Sequence, residues 1–145
     1  MASIKEKYLV LILFTILTNF SFATSLSCTV SGVEELNKKT TFLKNEILFV
    51  DIDSRSEYLG INVDRQGKAF ITLSTLQVNI SNKTNGDEYN LSERYSSLPQ
   101  IISFESIYIN RKTGSAKFEK SSSSTSFNSR YYSTGLCEKI QSNKF

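Results

Sequence analysis

The chain has 145 residues, with 17 basic and 14 acidic side chains, two cysteines and no histidine. Without histidine, Ser-His-Asp and Cys-His nucleophile systems are excluded, and so are zinc sites that depend on imidazole ligands. The formal net charge of +3 is too close to neutral to favour nucleic acid as a partner.

The start of the chain has the three parts of a secretory signal peptide. Lys5 and Lys7 supply the positive charge, an almost unbroken apolar run follows, and Ala23 closes a small-residue exit. The run includes Thr and Asn and is too polar for a membrane span, which needs about 20 apolar residues. We therefore expect a signal peptide at 1–23, one domain at 24–145 that does not span a membrane, and a secreted or periplasmic product.

The two cysteines, Cys28 and Cys137, lie near the two ends of the expected domain. An even cysteine count in an oxidising compartment favours one intramolecular disulfide. The bridge would close a loop of almost the whole domain, which in the chain-entropy description stabilises the fold by up to about 4.7 kcal/mol. Because redox motifs keep their two cysteines close in sequence, this pair is predicted to be structural.

After Cys28 the apolar residues alternate with polar ones, the pattern of half-buried β-strands. This period of two runs through residues 48–52, 58–63 and 69–80. Within the last segment the apolar positions change parity between Leu73 and Leu76. A bulge or a corner at that point would redirect the strand.

Short polar segments separate these strands, and residues 64–67 and 110–114 have the composition of hairpin turns closed by glycine. Helix is expected as at most one or two short turns, in residues 33–39 and 91–97. The sequence therefore predicts an all-β fold, an antiparallel meander that forms a small barrel or a sandwich. The periodicity does not distinguish the barrel from the sandwich.

Four acidic residues in the middle of the chain are candidates for chemistry. Asp51 and Asp53 lie on one strand face, and Glu57 and Asp64 follow across the next connection. Paired carboxylates can bind calcium or act in glycoside hydrolysis. However, the spacing is not that of a calcium-binding loop, and nearby arginines can neutralise the acids. The sequence therefore predicts no catalytic, cofactor-binding or metal-binding residue and no cofactor.

The C-terminal third combines aromatic and basic residues. Such a combination can bind sugar rings, nucleic acid or acidic protein surfaces. Alternatively, the aromatic residues fill the core and the lysines protect exposed strand edges. The residues predicted as a binding patch are Tyr108, Arg111, Lys112, Lys117, Lys120, Tyr131 and Tyr132.

Four features together resemble small uncharacterised exported proteins of Gram-negative bacteria. They are the signal sequence, the early Cys28, the hairpin at 107–114 and the closing Gly-Leu-Cys-Glu-Lys at 135–139. The resemblance covers mainly the two ends of the chain. It implies a periplasmic or secreted β-domain with a disulfide between its ends, and it carries no catalytic residue onto this chain.

The lack of nucleophile machinery favours a non-enzymatic binding module in the cell envelope. Its partner is expected to be an envelope protein, a glycan or a small apolar ligand, and not nucleic acid. Two alternatives stay open. The first is a small hydrolase or lyase that uses carboxylates such as Asp51 and Asp53. The second is a structural accessory subunit of an envelope assembly, which would need a long unprotected edge strand.

Overall fold

Nine β-strands and their connections make up the described part of the chain, residues 22–96 and 100–140 of a computed structural model. The strands are β1 (Phe22–Leu36), β2 (Lys39–Arg55), β3 (Tyr58–Arg65), β4 (Lys68–Ser74), β5 (Ile80–Asn82), β6 (Glu88–Ser96), β7 (Ile102–Asn110), β8 (Ser115–Ser123) and β9 (Asn128–Lys139). Residues 1–21 of the expected signal peptide lie outside the described residues. Within the described ranges, no helix has the length and apolar character needed to cross a membrane.

All nine strands form one antiparallel sheet, in the order β4-β3-β2-β1-β9-β8-β7-β6-β5. A flat sheet of this order would separate β4 from β5 by about 38 Å. The link between them, residues 75–79, reaches only about 20 Å. The sheet therefore curls into a nearly closed barrel whose seam lies between β4 and β6. The all-β prediction is confirmed, in its barrel form.

The alternation read from the sequence corresponds to the inside and outside of this barrel. Leu48, Val50 and Ile52 are buried, whereas Ile47 and Phe49 between them are exposed. A similar alternation buries every second residue of β3. The period-two segments at 48–52 and 58–63 are therefore strands, as predicted.

The parity change between Leu73 and Leu76 has a different cause from the one expected. Strand β4 ends at Ser74, and the chain then leaves the sheet and crosses the seam to β5. The two apolar sets belong to different structural segments, and Leu76 is exposed. The feature is thus the end of a strand and not a bulge.

The two predicted helical turns are wrong. Residues 33–36 end β1, Asn37 and Lys38 form a two-residue turn with positive φ angles of 47° and 72°, and residues 91–96 belong to β6. Pairs of opposite charge at helical spacing stabilise a helix by only about 0.2–0.5 kcal/mol. Pairing of β1 with strands on both sides outweighs that preference.

The two predicted hairpin turns are confirmed: residues 66–67 connect β3 to β4, and residues 111–114 connect β7 to β8. Gly114 has a φ of 74°, in the left-handed region that favours glycine. A Cβ atom at this position would lie 2.5 Å from the carbonyl oxygen of Cys137. Glycine is therefore required both for the turn and for its close approach to β9.

The predicted disulfide between Cys28 and Cys137 is confirmed. The two residues lie directly opposite each other in the pairing of β1 with β9, and both are buried. That pairing joins the meander β1–β4 to the meander β5–β9, so the bond links the two at their shared boundary. A disulfide is compatible with an oxidising extracellular compartment.

The interior of the barrel has two halves of different chemistry. The half around the disulfide, called the apolar half, includes Leu26, Cys28, Val50, Ile52, Ile61, Leu73, Leu91, Ile107, Ile109 and Phe118. In the other half, called the polar half, Glu93, Glu105, Lys120, Tyr131 and Glu34 lie opposite one another on five successive strands.

Candidate functional site

A cavity of about 510 Å³, called the mouth cavity, opens at the disulfide end of the barrel. Leu26, Ile109 and Cys137, all buried, form its floor. The β7–β8 turn at 110–114 and the end of β9 at Lys139 form part of its rim. The volume is within the range of about 300–1,000 Å³ that is typical of small-molecule sites.

Local hydrogen bonds and a ring contact hold Arg111 on this rim. Its guanidinium carbon lies 4.9 Å from the centre of the Tyr89 ring, and its backbone N–H donates to the carbonyl oxygen of Asp87 at 2.8 Å. The Asn110 side-chain oxygen accepts the backbone N–H of Thr113 at 2.9 Å, which fixes the turn. The arginine therefore has a defined position before any ligand binds.

The rim of the mouth cavity is cationic. It carries Arg111, Lys112 and Lys139, and the Nζ of Lys112 lies 2.8 Å from the Asp87 carboxylate. Among the residues that the structure describes, no carboxylate lies within ion-pair distance of Arg111 or Lys139. The cavity thus combines an apolar floor with positive charge that is not neutralised locally.

The predicted aromatic and basic patch is divided among three places. Arg111 and Lys112 lie on the rim of the mouth cavity. Tyr108, Lys117 and Tyr132 lie together on the outer face, where the Lys117 Nζ is 5.2 Å from the centre of the Tyr132 ring and Tyr108 is directly opposite Lys117. Ligand binding by either group stays a prediction.

The remaining two patch residues, Lys120 and Tyr131, point into the polar half. The Lys120 Nζ lies 2.9 Å from the Glu105 carboxylate and donates to the carbonyl oxygen of Phe70 at 2.6 Å. The Tyr131 hydroxyl donates to the Glu46 carboxylate at 3.0 Å. The structure therefore does not bring the seven predicted residues together as one surface.

Arg65 is the centre of the polar half. Its two terminal nitrogens donate to the Glu34 carboxylate at 2.9 and 3.0 Å, and its Nε donates to Glu46 at 2.6 Å. Its guanidinium carbon also lies 5.2 Å from the centre of the Phe70 ring and 4.9 Å from that of Tyr131. Two carboxylates and two rings therefore surround this one cation.

These contacts change the acidity of the groups involved. The hydrogen bonds to Glu34 and Glu46 raise the pKa of Arg65. The hydrogen bonds from Arg65 lower the pKa of Glu34, against the opposing effect of burial. Burial raises the pKa of the Tyr131 hydroxyl to about 12. Arg65 and Glu34 are therefore charged at neutral pH and hydrogen-bonded to each other.

The polar half reaches the seam at Glu93. Desolvation, and secondly the nearby Glu105 carboxylate, raise the pKa of Glu93. The Gln77 side-chain amide donates to the Glu93 carboxylate at 2.8 Å, so the link at 75–79 is tied to β6. A second cavity, of about 620 Å³, opens at this seam, and its lining includes Glu93, Glu105 and Lys120.

The predicted carboxylates Asp51 and Asp53 lie on the outer face of the barrel. The Ser25 hydroxyl donates to Asp51 at 2.5 Å, and an Arg55 nitrogen lies 2.7 Å from Asp53. Both border a shallow depression of about 250 Å³ above Gly60. In the described ranges, no group of three or more acidic or cysteine side chains is placed to hold a metal ion.

Sequence reasoning missed Tyr89 and Lys139 at the mouth cavity. Lys139 lies two residues after Cys137 and opposite Leu26, which lies two residues before Cys28 in the same antiparallel pairing. Extending that pairing from the predicted disulfide would have found Lys139. No local signal indicates Tyr89, which reaches the rim through the pairing of β6 with β7.

Comparisons of the chain with protein-family models, with curated proteins and with solved structures found no match. The mouth cavity and its residues are therefore the basis on which a function is proposed.

Proposed function

We propose that the protein is a non-enzymatic binding module of the cell envelope whose mouth cavity binds a small amphiphilic anion. The ligand has an apolar body and a carboxylate, sulfate or phosphate head. One observation carries the proposal: a single cavity joins the buried apolar floor of Leu26 and Ile109 to a cationic rim at Arg111 and Lys139.

The two parts of the cavity contribute differently to binding. An apolar body that covers the floor gains about 25 cal/mol for each Å² of apolar surface removed from water. The planar guanidinium of Arg111 suits a carboxylate or phosphate, because its N–H donors form a fork that both oxygens can accept. The floor therefore supplies affinity, and the rim selects the sign of the head group.

Two features support an envelope location for this activity. The sequence has a segment with the composition of a signal peptide, and the fold has a disulfide, which persists in oxidising compartments. Cys137 of that disulfide also lines the mouth cavity. The covalent bond thus holds one wall of the proposed site to β1.

The alternative functions have less support. Asp51 and Asp53 face outward and have partners of opposite or neutral charge, which is not the arrangement of a carboxylate pair in a catalytic cleft. For strand addition, an assembly partner needs an open edge. Strand β5 has only three residues, and Lys120 occupies the Phe70 carbonyl of β4.

The test is calorimetric titration with two ligands that share one tail, dodecanoate and dodecyltrimethylammonium, below their micelle concentrations. We expect dodecanoate to bind at one site and the cationic ligand to bind at least about tenfold more weakly, a difference of about 1.4 kcal/mol. The double variant Arg111→Gln/Lys139→Gln should lose about the same factor for dodecanoate. As a control, Arg94→Gln alters an exposed arginine elsewhere and should leave the affinity unchanged.

Three results would overturn the proposal. They are no dodecanoate binding by the folded protein, equal affinity for the two head groups, and equal loss of affinity in the double variant and in Arg94→Gln. Equal affinity for the two head groups would show that binding depends on the tail alone. Equal loss of affinity in the two variants would show that binding depends on overall charge.

A further inference from the structure

A smaller cavity lies next to the mouth cavity, at the same end of the barrel. Its volume is about 290 Å³, and it is called the side pocket below. Arg111 and Tyr89 line both cavities, so the stacked pair of guanidinium and ring forms the border between them. An anionic group bound by Arg111 at the rim of the mouth cavity therefore lies beside the side pocket.

The side pocket differs from the mouth cavity in the chemistry of its lining. Three connections meet there: the β2–β3 turn contributes Glu57, the link after β4 contributes Thr75, and β5 with the loop after it contributes Asn82 and Thr84. Its apolar surface comes from Leu59 and two tyrosine rings. The mouth cavity thus offers an apolar floor, whereas the side pocket offers hydroxyl, amide and carboxylate groups.

Three of these side chains are held in place by backbone N–H groups that they accept. The Thr75 hydroxyl oxygen accepts the N–H of Leu59 at 3.0 Å. The Thr84 hydroxyl oxygen accepts the N–H of Asn90 at 2.9 Å, and the Asn82 side-chain oxygen accepts the N–H of Thr84 at 3.0 Å. A hydroxyl that accepts keeps its own proton to donate, and the amide keeps its NH₂ group. The side pocket therefore presents donors whose positions are fixed before binding, which lowers the entropy cost of ordering them.

Charge in the side pocket is balanced. Arg55, which also lines it, has its guanidinium 2.7 Å from the Asp53 carboxylate. Glu57 adds an exposed carboxylate that can accept hydrogen bonds. Arg111 at the border is the cation that remains for an anion. The side pocket itself therefore suits an uncharged group that both donates and accepts hydrogen bonds, as the hydroxyl groups of a polyol do.

We infer that the ligand of the mouth cavity is an amphiphilic phosphodiester with a polyol head group. Its apolar tail covers Leu26 and Ile109, its phosphodiester binds Arg111, and its hydroxyl groups occupy the side pocket. The inference rests on the proposed function and names the class of its ligand.

The position of the cation carries this choice of anion. Arg111 lies between the two cavities, so a ligand that fills both holds its negative charge within the molecule and not at its end. A carboxylate ends its chain, and a sulfate loses its charge when it is linked on both sides. A phosphodiester keeps one negative charge with a substituent on each side, and its two free oxygens match the fork of guanidinium donors.

Calorimetric titration with two phosphodiesters tests the polyol head group. Dodecyl glyceryl phosphate and dodecyl methyl phosphate share one tail and one negative charge, and only the first has hydroxyl groups. Below their micelle concentrations, we expect the glyceryl ester to bind at least about fivefold more tightly, because its hydroxyls form hydrogen bonds of ordinary net strength in the side pocket.

Two asparagine variants locate this preference. Asn82→Ala removes an amide donor of the side pocket and should at least halve the preference for the glyceryl ester, while the affinity for the methyl ester stays unchanged. Asn85→Ala is the matched control. The Asn85 side-chain oxygen accepts the N–H of Asp87 at 2.8 Å in the same loop, but Asn85 does not line the side pocket, so this variant should keep the full preference.

Glu57→Ala separates hydrogen bonding from overall charge. Loss of a carboxylate favours every anionic ligand, so the methyl ester should bind equally well or more tightly. The glyceryl ester loses an acceptor for its hydroxyls and should bind more weakly. Tighter binding of both esters to Glu57→Ala would contradict hydroxyl binding at this residue.

The outcomes distinguish this inference from the proposed function. Equal affinity for the two esters, or binding of dodecanoate but of neither ester, overturns the polyol head and leaves the anionic amphiphile site standing. Equal loss of preference in Asn82→Ala and Asn85→Ala overturns the placement of the head in the side pocket. Absence of binding by dodecanoate and by both esters overturns the proposed function as well.

Discussion

The two halves of the barrel interior share one set of strands but are held together in different ways. The apolar half has buried aliphatic side chains and a covalent bond between Cys28 and Cys137. The polar half has Arg65 and Lys120, each bound to carboxylates and to ring faces. The cavities beside the polar half are bordered by these charged groups, whereas the mouth cavity of the apolar half has an apolar floor. The proposed ligand site is therefore the cavity whose floor is apolar surface and not an ion-pair network.

The halves also differ in what they contribute to folding. Burial of apolar surface is the main favourable term in folding, whereas a buried ion pair is weak support for stability because both charges lose water. A polar network can still specify pairing. A shift of the pairing register by one residue moves every side chain of a strand to the opposite face of the sheet. Such a shift of β2 or of β3 would turn Glu46 or Arg65 outward and separate the two side chains. We attribute stability to the apolar half and strand register to the polar half.

The largest effect is expected from removing the disulfide. The double variant Cys28→Ala/Cys137→Ala should lose about 4 kcal/mol of unfolding free energy, because the unfolded chain regains the freedom of a loop of almost the whole domain. Urea denaturation measures the loss, and the unmodified protein in reductant is the control that should fall to the same level. A loss below about 1 kcal/mol would contradict a stabilising role for the bond.

The next effect is expected at the centre of the polar half. Arg65→Met should cost about 3 kcal/mol, because it leaves Glu34 and Glu46 without their cation in a partly buried site. Arg55→Met is the matched control: its ion pair with Asp53 is exposed, and the cost should be below about 1 kcal/mol. Equal losses in both variants would mean that the network around Arg65 has no special role.

A second set of variants separates the loss of the attraction to Arg65 from the cost of leaving Glu34 and Glu46 without a cation. Adding Glu34→Gln and Glu46→Gln to the Arg65→Met variant should recover part of the loss, since uncharged replacements of a buried network are often tolerated.

Acidification should also reduce the stability difference between the unmodified protein and the Arg65→Met variant. The pKa of Glu34 is lowered in the fold, so its stabilisation is present above its ordinary value of 4.5 and is lost as pH falls. The difference between unmodified protein and variant should therefore shrink at low pH.

Much of the apolar half could be predicted from the sequence. The alternation at Leu48, Val50 and Ile52 identifies inward positions locally, and two cysteines in one domain have a single possible partner each. The mouth cavity could not be predicted, because it needs β1, β6, β7 and β9 to meet at one end of a nearly closed barrel. That meeting depends on long-range pairing, which no local pattern contains.

The alternation also contains a signal for the polar half. Glu46 is in phase with Leu48, and Arg65 is in phase with Val63, so both lie on the inward face of their strands. A charged residue in phase with buried ones requires a partner inside the fold. The identity of that partner still depends on which strands become neighbours. The helical turn expected at 33–39 failed for the same reason, since pairing with β9 decides its structure.

The smallest effect is expected at the seam, from Glu93→Gln. The pKa of Glu93 is raised above its ordinary value of 4.5 by desolvation and by Glu105, so the folded state binds its proton more tightly than the unfolded state. Stability linked to this group is therefore lost as pH rises above that value. The amide should raise the Tm at neutral pH and raise it less near about pH 4, where the carboxyl is already protonated.

The bond from Gln77 is retained in this variant, because the carbonyl oxygen of the new amide can accept it. Glu57→Gln, in the exposed turn between β2 and β3, is the matched control and should leave the Tm unchanged at both pH values. A lower Tm of Glu93→Gln at neutral pH would mean that the charged hydrogen bond from Gln77 outweighs the desolvation of the carboxylate. Charged hydrogen bonds would then stabilise the polar half at the seam, as they do around Arg65, whereas the apolar half depends on buried apolar surface and the disulfide.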